Sequence, residues 1–377
     1  MNNSSSTSAE VAFLRECLDL AATARGDTSP NPMVGAVVVS RDGEIVGRGY
    51  HRRCGEPHAE SLALSAAGSA ADGGTLYVNV EPCCHHGRTP PCTDAVIAAG
   101  IKRVVACHED PDRRVAGRGF DILREAGLEV EVGLLDEDAI ELNAGYLTVK
   151  STGRLFVTGK AALSLDGRLA TRLGQSQWIT GPDSRHYAHE LRAAHDVVMV
   201  GVGTVLADDP RLTARIDDAA RPRFRVVLDS TLRTPPDSRL LQEDADSVVI
   251  VTTDSASATS RAALEAAGAQ ILVAEADHLD RVDLGDAMHK LSGLGVTTCL
   301  LEGGSALLTS AFDAGIIDRV VLFYAPMLIG GVDALPLWGG EGTAELGAAP
   351  RLRRPLYHEF GPDRVIEGYL RLPPPFA

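Results

Sequence analysis

The sequence predicts an α/β protein made of two domains. The chain has 377 residues, and one domain per ~150 residues is usual. Short apolar runs typical of strands alternate with helix-like segments in both halves, which favours mixed sheets layered with helices. Near residue 150 this pattern is interrupted by Gly153, and a new strand begins at Leu155. We therefore expect a disordered, Ser-rich tail at 1–9, a first domain at 10–150 and a second at 151–377.

The elements of the first domain follow from the spacing of its apolar residues. Phe13, Leu14, Cys17 and Leu18 recur at helical intervals, and Gly26 ends that helix. An Asp-Gly pair at 42–43 predicts a hairpin between two strands. The predicted strands are 34–39, 45–50, 76–80, 104–107 and 129–132, and the later predicted helices are 58–67, 92–99, 121–126 and 136–143.

A metal-binding pattern lies within the first domain. His58 opens one predicted helix, Cys92 opens the next, and Cys83 lies in a loop between them. One His and two Cys supply three zinc ligands and leave a fourth position for water, as in catalytic rather than structural zinc sites. Glu60 stands two residues after His58, where it can act as general acid and base without binding the metal. The order His-x-Glu, Pro-Cys, Cys is typical of zinc deaminases.

The same residues have a structural interpretation. Free Cys is often only a small buried apolar residue, and Cys83 and Cys92 stand farther apart than in a Cys-x-x-Cys knuckle. Cys84, His85 and His86 are rival ligands. Adjacent residues of an extended loop point in opposite directions, which disfavours Cys84 as a ligand beside Cys83. Because His-Ala-Glu and Glu-Pro-Cys occur together, we favour the catalytic interpretation.

Charge and composition argue against several other classes of protein. The formal net charge is −15, whereas nucleic-acid binders usually carry a basic patch, so we expect no nucleic-acid partner. No apolar run approaches the ~20 residues of a membrane span, and the N-terminal stretch lacks the apolar region of a signal peptide. Seven Cys without regular disulfide spacing fit a reducing compartment. We expect a cytoplasmic protein without membrane contact, and the sequence leaves a homo-oligomer open.

Three stretches of the second half follow predicted strands, where the ligand sites of open α/β sheets gather. They are 160–180, 200–215 and 300–306. In the third, a strand at 298–301 ends at Gly303 and Gly304 before a helix at 306–314. Glycines and a helix N-terminus attract phosphate groups, but a Gly-Gly pair between a strand and a helix is equally an ordinary turn.

Motifs in the chain resemble those of one known family. The matching segments are Ser29 to Gly35 (Ser-Pro-Asn-Pro-Met-Val-Gly), Pro57 to Glu60 and Glu81 to Cys92. They are similar to segments of the bacterial bifunctional riboflavin-biosynthesis deaminase/reductases, in which the wide Cys spacing is part of the pattern. The resemblance covers nearly the whole chain. It implies a cytidine-deaminase-like three-layer first domain, a second domain similar to dihydrofolate reductase, zinc and NADPH as cofactors, and a phosphorylated pyrimidine as substrate.

The resemblance also implies ligand contacts in the second half. NADPH contacts would come from Ala162, Trp178, Thr204, Asp208, Ser230 and the segment Gly304, Ser305, Ala306, Leu307, Leu308, Thr309 and Ser310. Substrate contacts would come from Ser176, Arg192, Leu212, Arg215 and Glu302. Arg192 and Arg215 could grip a phosphate through charge-assisted bonds, and Glu302 and Asp208 could bind sugar hydroxyls or steer protons. On the residues alone, the arginines would be a solvated face and Asp208 part of a helix-ending turn.

Further residues are candidates on weaker grounds. Asn31, which lies between two prolines, could hydrogen-bond a pyrimidine edge or only its own turn. His51 could contact the substrate or be solvated, and Lys160 is a candidate proton donor. His85, His86 and Arg88 could line the first pocket. Nothing local selects among Arg172, Arg185 and Arg233 as the partner of the NADPH 2′-phosphate.

The sequence therefore predicts an enzyme with two activities. The first half would hydrolytically remove the 2-amino group of 2,5-diamino-6-ribosylamino-4(3H)-pyrimidinone 5′-phosphate. The second half would then reduce the ribosyl side chain with NADPH. Two alternatives stay open: a single-activity nucleoside or base deaminase with a non-catalytic second domain, and a zinc-stabilised binding module without turnover.

Overall fold

The computed structural model of the chain describes residues 8–87, 90–216 and 222–375. The chain divides into two compact units, Met1–Thr152 and Gly153–Ala377. Residues 1–7 of the expected tail lie outside the described residues. The first helix begins at Ser8, so the last two residues of that tail are helical and the prediction of disorder was wrong for them.

Unit 1 alternates helices and strands. In chain order its elements are α1 (Ser8–Ala22), β1 (Gly35–Val39), β2 (Ile45–Tyr50), α2 (Ala59–Ala67), a 3-10 turn (Gly68–Ala71), β3 (Thr75–Val78), α3 (Cys92–Ala98), β4 (Arg103–Ala106), α4 (Arg118–Glu125), β5 (Glu129–Val132), α5 (Asp136–Leu142) and α6 (Ala144–Thr152). The elements predicted from the sequence are present, with ends that shift by a few residues. Helix α6 was not predicted, because its Gly145 and Thr148 favour other structures, and the burial of its Tyr146 and Leu147 outweighs that preference.

The sheet of unit 1 has helices on both faces. Its strand order is β2-β1-β3-β4-β5, with β1 antiparallel to both neighbours and β3, β4 and β5 parallel. Along β1, Ala36 and Val38 pack in a core with α2, α3 and α4, whereas Val37 and Val39 pack in a core with α1 and α5. This alternation confirms the predicted three-layer architecture.

Helix α2 lies unusually close to β2. A Cβ atom built on Gly49 would lie 2.3 Å from the carbonyl oxygen of Ala59 and 2.7 Å from the backbone nitrogen of Ala63. At Gly47 it would lie 2.1 Å from the carbonyl oxygen of Ala63. The two glycines therefore allow the backbone of α2 to rest on the strand, and they fix the position of the first turn of that helix.

We expect Gly49→Ala to destabilise unit 1 by about 1–3 kcal/mol, because the added methyl group clashes with backbone that cannot move without shifting α2. Chemical denaturation followed by circular dichroism measures the change. Gly347→Ala is the matched control, since a Cβ there would meet nothing within 4 Å. Equal stability of the two variants would contradict the close packing of α2 on β2.

Unit 2 is built on a larger sheet. Its elements are β6 (Phe156–Ser164), β7 (Arg168–Ala170), α7 (Pro182–Ala194), β8 (Val197–Gly201), α8 (Val202–Asp208), β9 (Phe224–Leu228), 3-10 turns (Arg239–Leu241 and Ala245–Ser247), β10 (Val248–Thr252), α9 (Ala258–Ala266), β11 (Gln270–Val273), α10 (Leu284–Ser292), β12 (Thr298–Glu302), α11 (Ser305–Asp313), β13 (Arg319–Ala325), β14 (Leu335–Pro336), a 3-10 turn (Leu346–Ala348), β15 (Arg353–Phe360) and β16 (Asp363–Tyr369).

Most strands of this sheet are parallel. The order is β11-β10-β9-β8-β12-β6-β13-β16-β15, and only the pairs of β16 with β13 and β15 are antiparallel. A separate two-stranded ribbon joins β7 and β14. In the parallel part the carboxyl ends of β9, β8, β12 and β6 lie side by side, which is where open α/β sheets bind ligands. No helix in the described ranges combines the length and apolar character that a membrane crossing needs.

Candidate active sites

The structure brings the three predicted zinc ligands together in unit 1. His58 is the N-cap of α2, Cys92 is the first residue of α3, and Cys83 lies in the loop that enters α3. One ligand atom from each, His58 Nδ1 and the two Sγ atoms, lies within 4.8 Å of the others. His58 Nδ1 is 3.3 Å from the sulfur of Cys92 and 3.4 Å from that of Cys83. The two helix starts thus converge on one point.

The donor set fits zinc. The pKa of the Cys83 thiol is lowered, because the Cys92 thiol, His58 and the backbone N–H of Cys92 all donate toward its sulfur. The pKa of Cys92 is raised in turn, since a second negative sulfur beside Cys83 is unfavourable without a cation. A divalent metal ion removes this conflict by stabilising both thiolates, and two sulfurs with one imidazole are zinc's preferred ligands.

Glu60 is buried beside these ligands. Only 3 % of its surface is exposed, and it lies one residue inside the start of α2. Burial, followed by the negative charge of Cys83, raises the pKa of its carboxyl group. A carboxyl group with a raised pKa can accept and release a proton near neutral pH, which suits the predicted acid and base role.

The rival ligands lie elsewhere. The sulfur of Cys84 points toward the carbonyl oxygen of Arg114, at 3.6 Å. Within the part of the chain that the structure describes, His85 and His86 belong to no group of three potential ligands. Nδ1 of His85 is buried without a hydrogen-bond partner among the described residues. Arg88, expected near this pocket, lies outside the described residues.

We expect Cys83→Ala to lose bound zinc, whereas Cys84→Ala keeps it, because the neighbouring sulfurs face opposite sides of the loop. Plasma emission spectroscopy of the desalted proteins gives the zinc content. His58→Ala and Cys92→Ala should behave as Cys83→Ala. Full zinc occupancy in Cys83→Ala, or zinc loss in Cys84→Ala, would overturn the ligand assignment.

Asn31 and His51 form a pair next to the metal ligands. Nδ2 of Asn31 lies 3.0 Å from Nε2 of His51, and Nδ1 of His51 lies 3.3 Å from the carbonyl oxygen of Pro57. The rings of His51 and His58 meet edge to face at 5.2 Å. Burial lowers the pKa of His51, so its ring is neutral, with Nδ1–H donating to Pro57 and Nε2 accepting from Asn31. This network fixes Asn31 with its amide oxygen available to a ligand.

Two asparagines that the sequence analysis did not identify, Asn79 and Asn143, hold the backbone close to Asn31. Asn79 accepts from the backbone N–H of Gly35 and donates to the carbonyl of Met33. Asn143 accepts from the N–H of Met33 and donates to the same carbonyl. Both amides are buried, and they fix the backbone two residues beyond Asn31. A polar residue directly after a buried strand, as Asn79 is after β3, is the signal that could have found the first of them.

Glu81 was also missed as a structural anchor. Its buried carboxylate accepts four backbone N–H bonds, from Asp110, Gly117, Gly119 and Phe120, at 2.8–3.2 Å. One side chain therefore shapes the polar loop that precedes α4. Because Glu81 stands two residues before Cys83, the same anchor also positions the metal-binding loop.

Unit 2 contains a cleft of about 1990 Å³. It lies at the carboxyl ends of the parallel strands and is lined by most of the predicted ligand contacts of this half. The predicted residues that line it are Ala162, Ser176, Trp178, Arg192, Thr204, Asp208, Leu212, Arg215, Ser230, Glu302, Gly304, Ser305, Ala306, Leu307 and Ser310.

Two predicted cofactor contacts do not reach the cleft. Leu308 is 1 % exposed and packs in the hydrophobic core. The hydroxyl of Thr309 accepts from the backbone N–H of Gly339 and faces that segment. Both residues lie on α11, whose successive residues turn by about 100° around the axis, so only part of the 304–310 segment can face a ligand.

An acidic and two basic side chains meet in the cleft. Arg192 donates to both oxygens of Glu302, at 2.7 and 2.8 Å. Lys160 is the register partner of Glu302 on the adjacent parallel strand. Burial opposes ionisation of Glu302, but the charges of Arg192 and Lys160 outweigh it and lower the pKa of Glu302 to about 2. Arg192 is thus committed to Glu302, which differs from the phosphate role expected for it.

Arg215 has a different environment. Burial, followed by the charges of Arg192, Arg211 and Arg239, lowers its pKa. Arg211 is paired with Glu243 at 2.8 Å. Arg215 and Arg239 line the cleft, and an anion there would relieve their mutual repulsion. Leu212, which lies between Arg211 and Arg215 in the chain, borders the cleft but is only 2 % exposed and packs in the hydrophobic core.

Arg225 of β9 anchors the start of the loop that carries Arg215. This guanidinium is buried and donates to the backbone carbonyls of Arg211, Leu240, Glu243 and Asp244. These hydrogen bonds hold the loop after α8 next to the segment that precedes β10. No sequence motif marked Arg225, because its partners are backbone atoms distant in the chain.

Family models match both halves of the chain. The "RibD C-terminal domain" matches residues 155–366, and the "Cytidine and deoxycytidylate deaminase zinc-binding region" matches residues 7–108. The first match argues against the alternative of a single-activity deaminase, and the second against a binding module without turnover.

Full-length relatives agree with these matches. The chain is 41 % identical over 366 residues to the riboflavin biosynthesis protein RibD of Actinobacillus pleuropneumoniae, covering 97 % of this chain and 96 % of the relative. It is 42 % identical to RibD of Aquifex aeolicus, covering 94 % and 96 %. Among solved structures, Acinetobacter baumannii RibD matches with a TM-score of 0.87 and 34 % identity over 96 % of this chain and 98 % of that one. A Thermotoga maritima diaminohydroxyphosphoribosylaminopyrimidine deaminase/5-amino-6-(5-phosphoribosylamino)uracil reductase matches with a TM-score of 0.83 and 32 % identity, with the same coverage.

Proposed function

The chain belongs to the RibD family of bifunctional riboflavin-biosynthesis enzymes, and we propose that unit 1 carries its deaminase activity and unit 2 its NADPH-dependent reductase activity. The substrate of unit 1 is 2,5-diamino-6-ribosylamino-4(3H)-pyrimidinone 5′-phosphate, and its product, 5-amino-6-(5-phosphoribosylamino)uracil, is the substrate of unit 2. A phosphorylated pyrimidine suits both the Asn31 amide beside the metal ligands of unit 1 and the arginines that line the cleft of unit 2.

In unit 1, we propose that His58, Cys83 and Cys92 hold zinc. Zinc supplies, when bound, Lewis-acid activation of water for attack on the carbon that bears the amino group. Glu60 would take one proton from the attacking water and deliver it to the ring nitrogen, and would then carry the remaining hydroxyl proton to the amino group, which leaves as ammonia as the C=O bond forms. Its raised pKa supports both transfers. Asn31, fixed by His51, would hydrogen-bond the pyrimidine edge through its amide oxygen.

In unit 2, we propose that Glu302 and Lys160 stand beside the reacting carbon. NADPH supplies, when bound, the hydride that reduces the ribosyl carbon. The new C1′–H bond replaces the bond from C1′ to the ring oxygen of the ribosyl group, and Lys160 would deliver the balancing proton to that oxygen. Burial lowers the pKa of Lys160, and the charge of Glu302 partly restores it. Arg192 orients Glu302 through two hydrogen bonds. Arg215 and Arg239 would bind the substrate phosphate.

The observation that supports this assignment most directly is that each unit holds one complete set of reacting groups. Zinc-replete protein is given the diaminopyrimidine ribosylphosphate and NADPH, and ammonia release and NADPH absorbance are followed in one cuvette. We expect ammonia first and loss of NADPH absorbance second. Ammonia without NADPH oxidation would contradict the assignment for unit 2, and absence of both signals would contradict the substrate.

We also propose that the protein works in the cytoplasm. No disulfide joins any of the seven cysteines, all of which lie in the described ranges, and Cys83, Cys84 and Cys92 lie in or at the end of the metal-binding loop. Disulfides are typical of oxidising compartments, and a thiolate metal site is protected in a reducing one. Alkylation of the freshly isolated, unfolded protein followed by mass spectrometry should count seven free thiols.

A further inference from the structure

Arg233 stands out among the arginines of the unit 2 cleft. Its side chain is exposed and lines the cleft, and no hydrogen-bond or ion-pair acceptor for it lies among the described residues. Four other guanidinium groups of the cleft already have partners: Arg185 with the Thr180 carbonyl, Arg192 with Glu302, Arg211 with Glu243, and Arg281 with Asp277. Two more, Arg215 and Arg239, are those proposed above to bind the substrate phosphate. Arg233 is therefore a cation available to an anionic ligand.

The turn that carries Arg233 is rigid. The carboxylate of Asp229, fully buried after β9, accepts from both the N–H and the hydroxyl of Thr234 at 2.7 Å. Leu232 has a φ of 57°, and its N–H bonds the carbonyl of Asp229. The side chain of Leu232 is buried, whereas those of Thr231 and Arg233 on either side are exposed. The turn thus holds Arg233 outward.

Ser230 offers a second donor in the same turn. Its hydroxyl oxygen accepts from the backbone N–H of Val282 at 3.0 Å. With one lone pair occupied in this way, the O–H proton is free to donate into the cleft that Ser230 lines. A guanidinium and a hydroxyl from one turn are typical donors to a phosphate group.

The order of the strands indicates which part of NADPH reaches this turn. The cleft passes the ends of four adjacent strands, β6, β12, β8 and β9. Neighbouring strands lie about 4.8 Å apart, so β9 is roughly 14 Å from β6. Hydride transfer belongs near Lys160 and Glu302, on β6 and β12. The adenosine end of an extended dinucleotide then lies at the end of β9, beside Ser230 and Arg233.

We propose that Arg233, together with the hydroxyl of Ser230, binds the 2′-phosphate of NADPH and makes unit 2 select NADPH over NADH. The proposal rests on the proposed reductase function and deepens it. Of the three arginines that the sequence left open, Arg185 stacks on Trp178 at 4.8 Å, and Arg172 is not among the described residues that line the cleft.

Two acidic groups that line the same cleft already have partners. The carboxylate of Asp277 binds the guanidinium of Arg281. The carboxylate of Asp283 caps α10 by accepting from the N–H of Asp286. Both charges are therefore partly neutralised, while Arg233 keeps its full charge for a ligand.

The test measures binding by titration calorimetry, without turnover. The wild-type protein is compared with Arg233→Gln, Arg233→Lys and the control Arg172→Gln, using NADP⁺, NAD⁺, 2′,5′-ADP and 5′-ADP as ligands. Losing a charge-assisted phosphate contact should weaken binding of NADP⁺ and 2′,5′-ADP to Arg233→Gln by roughly 10- to 100-fold. Binding of NAD⁺ and 5′-ADP should change by less than about twofold. Arg233→Lys should recover part of the loss, and Arg172→Gln should match the wild type.

The outcomes separate this proposal from the reductase assignment. If the wild type binds neither dinucleotide, the reductase assignment itself fails. If the wild type prefers NADP⁺ and Arg233→Gln keeps that preference, the 2′-phosphate is held elsewhere and the proposal is overturned. Equal weakening of all four ligands in Arg233→Gln would show a distorted turn instead of a lost phosphate contact, and it would also overturn the proposal.

Discussion

Glu60→Gln is expected to abolish ammonia release while the protein keeps its zinc. Glutamine preserves the shape of the buried side chain but cannot accept the proton of the attacking water. Loss of a positioned general acid and base typically costs about 10²–10⁴ in rate, and Glu60 would serve both proton transfers of the reaction, which places the effect toward the upper end. His58, Cys83 and Cys92 are unchanged, so the metal content should equal that of the wild type.

Three measurements on Glu60→Gln separate chemistry from folding. Zinc analysis tests the ligand set, ammonia assay tests deamination, and NADPH oxidation with the already deaminated substrate tests unit 2. Glu44→Gln, an exposed glutamate just before β2, is the matched control and should retain all three. Deamination at more than a tenth of the wild-type rate in Glu60→Gln would rule out the proposed proton transfer.

Glu302→Gln is expected to lower the reductase rate by at least about 100-fold and leave deamination intact. The change removes the carboxylate that Arg192 holds with two hydrogen bonds. It also removes the negative charge that partly restores the pKa of the half-buried Lys160. Because the pKa of Glu302 is about 2, its charge is present throughout the working pH range of the wild type.

The pH profile distinguishes this role from a merely structural one. With the charge of Glu302 gone, the pKa of Lys160 should fall further, so the alkaline limb of the reductase profile should move to lower pH in the variant. Glu265→Gln, an exposed change on α9, is the control. An unshifted alkaline limb would contradict the coupling to Lys160. Loss of deamination together with reduction would instead indicate unfolding, which thermal melts would show.

The proposed zinc ligands of unit 1 could be predicted from the sequence because the residues that mark them are their neighbours in the chain. His58 and Cys92 open helices whose starts are marked by Pro57 and Pro91, and the residue types are those that zinc prefers. The contacts that hold the backbone close to Asn31 could not be predicted in this way. Asn143 hydrogen-bonds the backbone of Met33, which is 110 positions away in the sequence, and contacts between such distant residues leave no local pattern.

The second site shows the same limit. The ion pair of Arg192 with Glu302 spans 110 residues, so the sequence suggested a free arginine for phosphate where the structure has a paired one. Leu308 and Thr309 belong to a segment that the family resemblance assigns as a whole to the cofactor, although helical periodicity predicts that some of its residues turn inward.

Added salt should leave the anchor made by Arg225 intact. Its guanidinium is held by neutral carbonyl oxygens in a buried position, where dissolved ions do not screen the interaction as they screen exposed charges. The loop leading to Arg215 should therefore keep its shape as ionic strength rises. With the substrate phosphate bound by Arg215 and Arg239 as proposed, a decline of substrate affinity with added salt would report the attraction between the phosphate and these arginines, and its slope would estimate how many charges meet there.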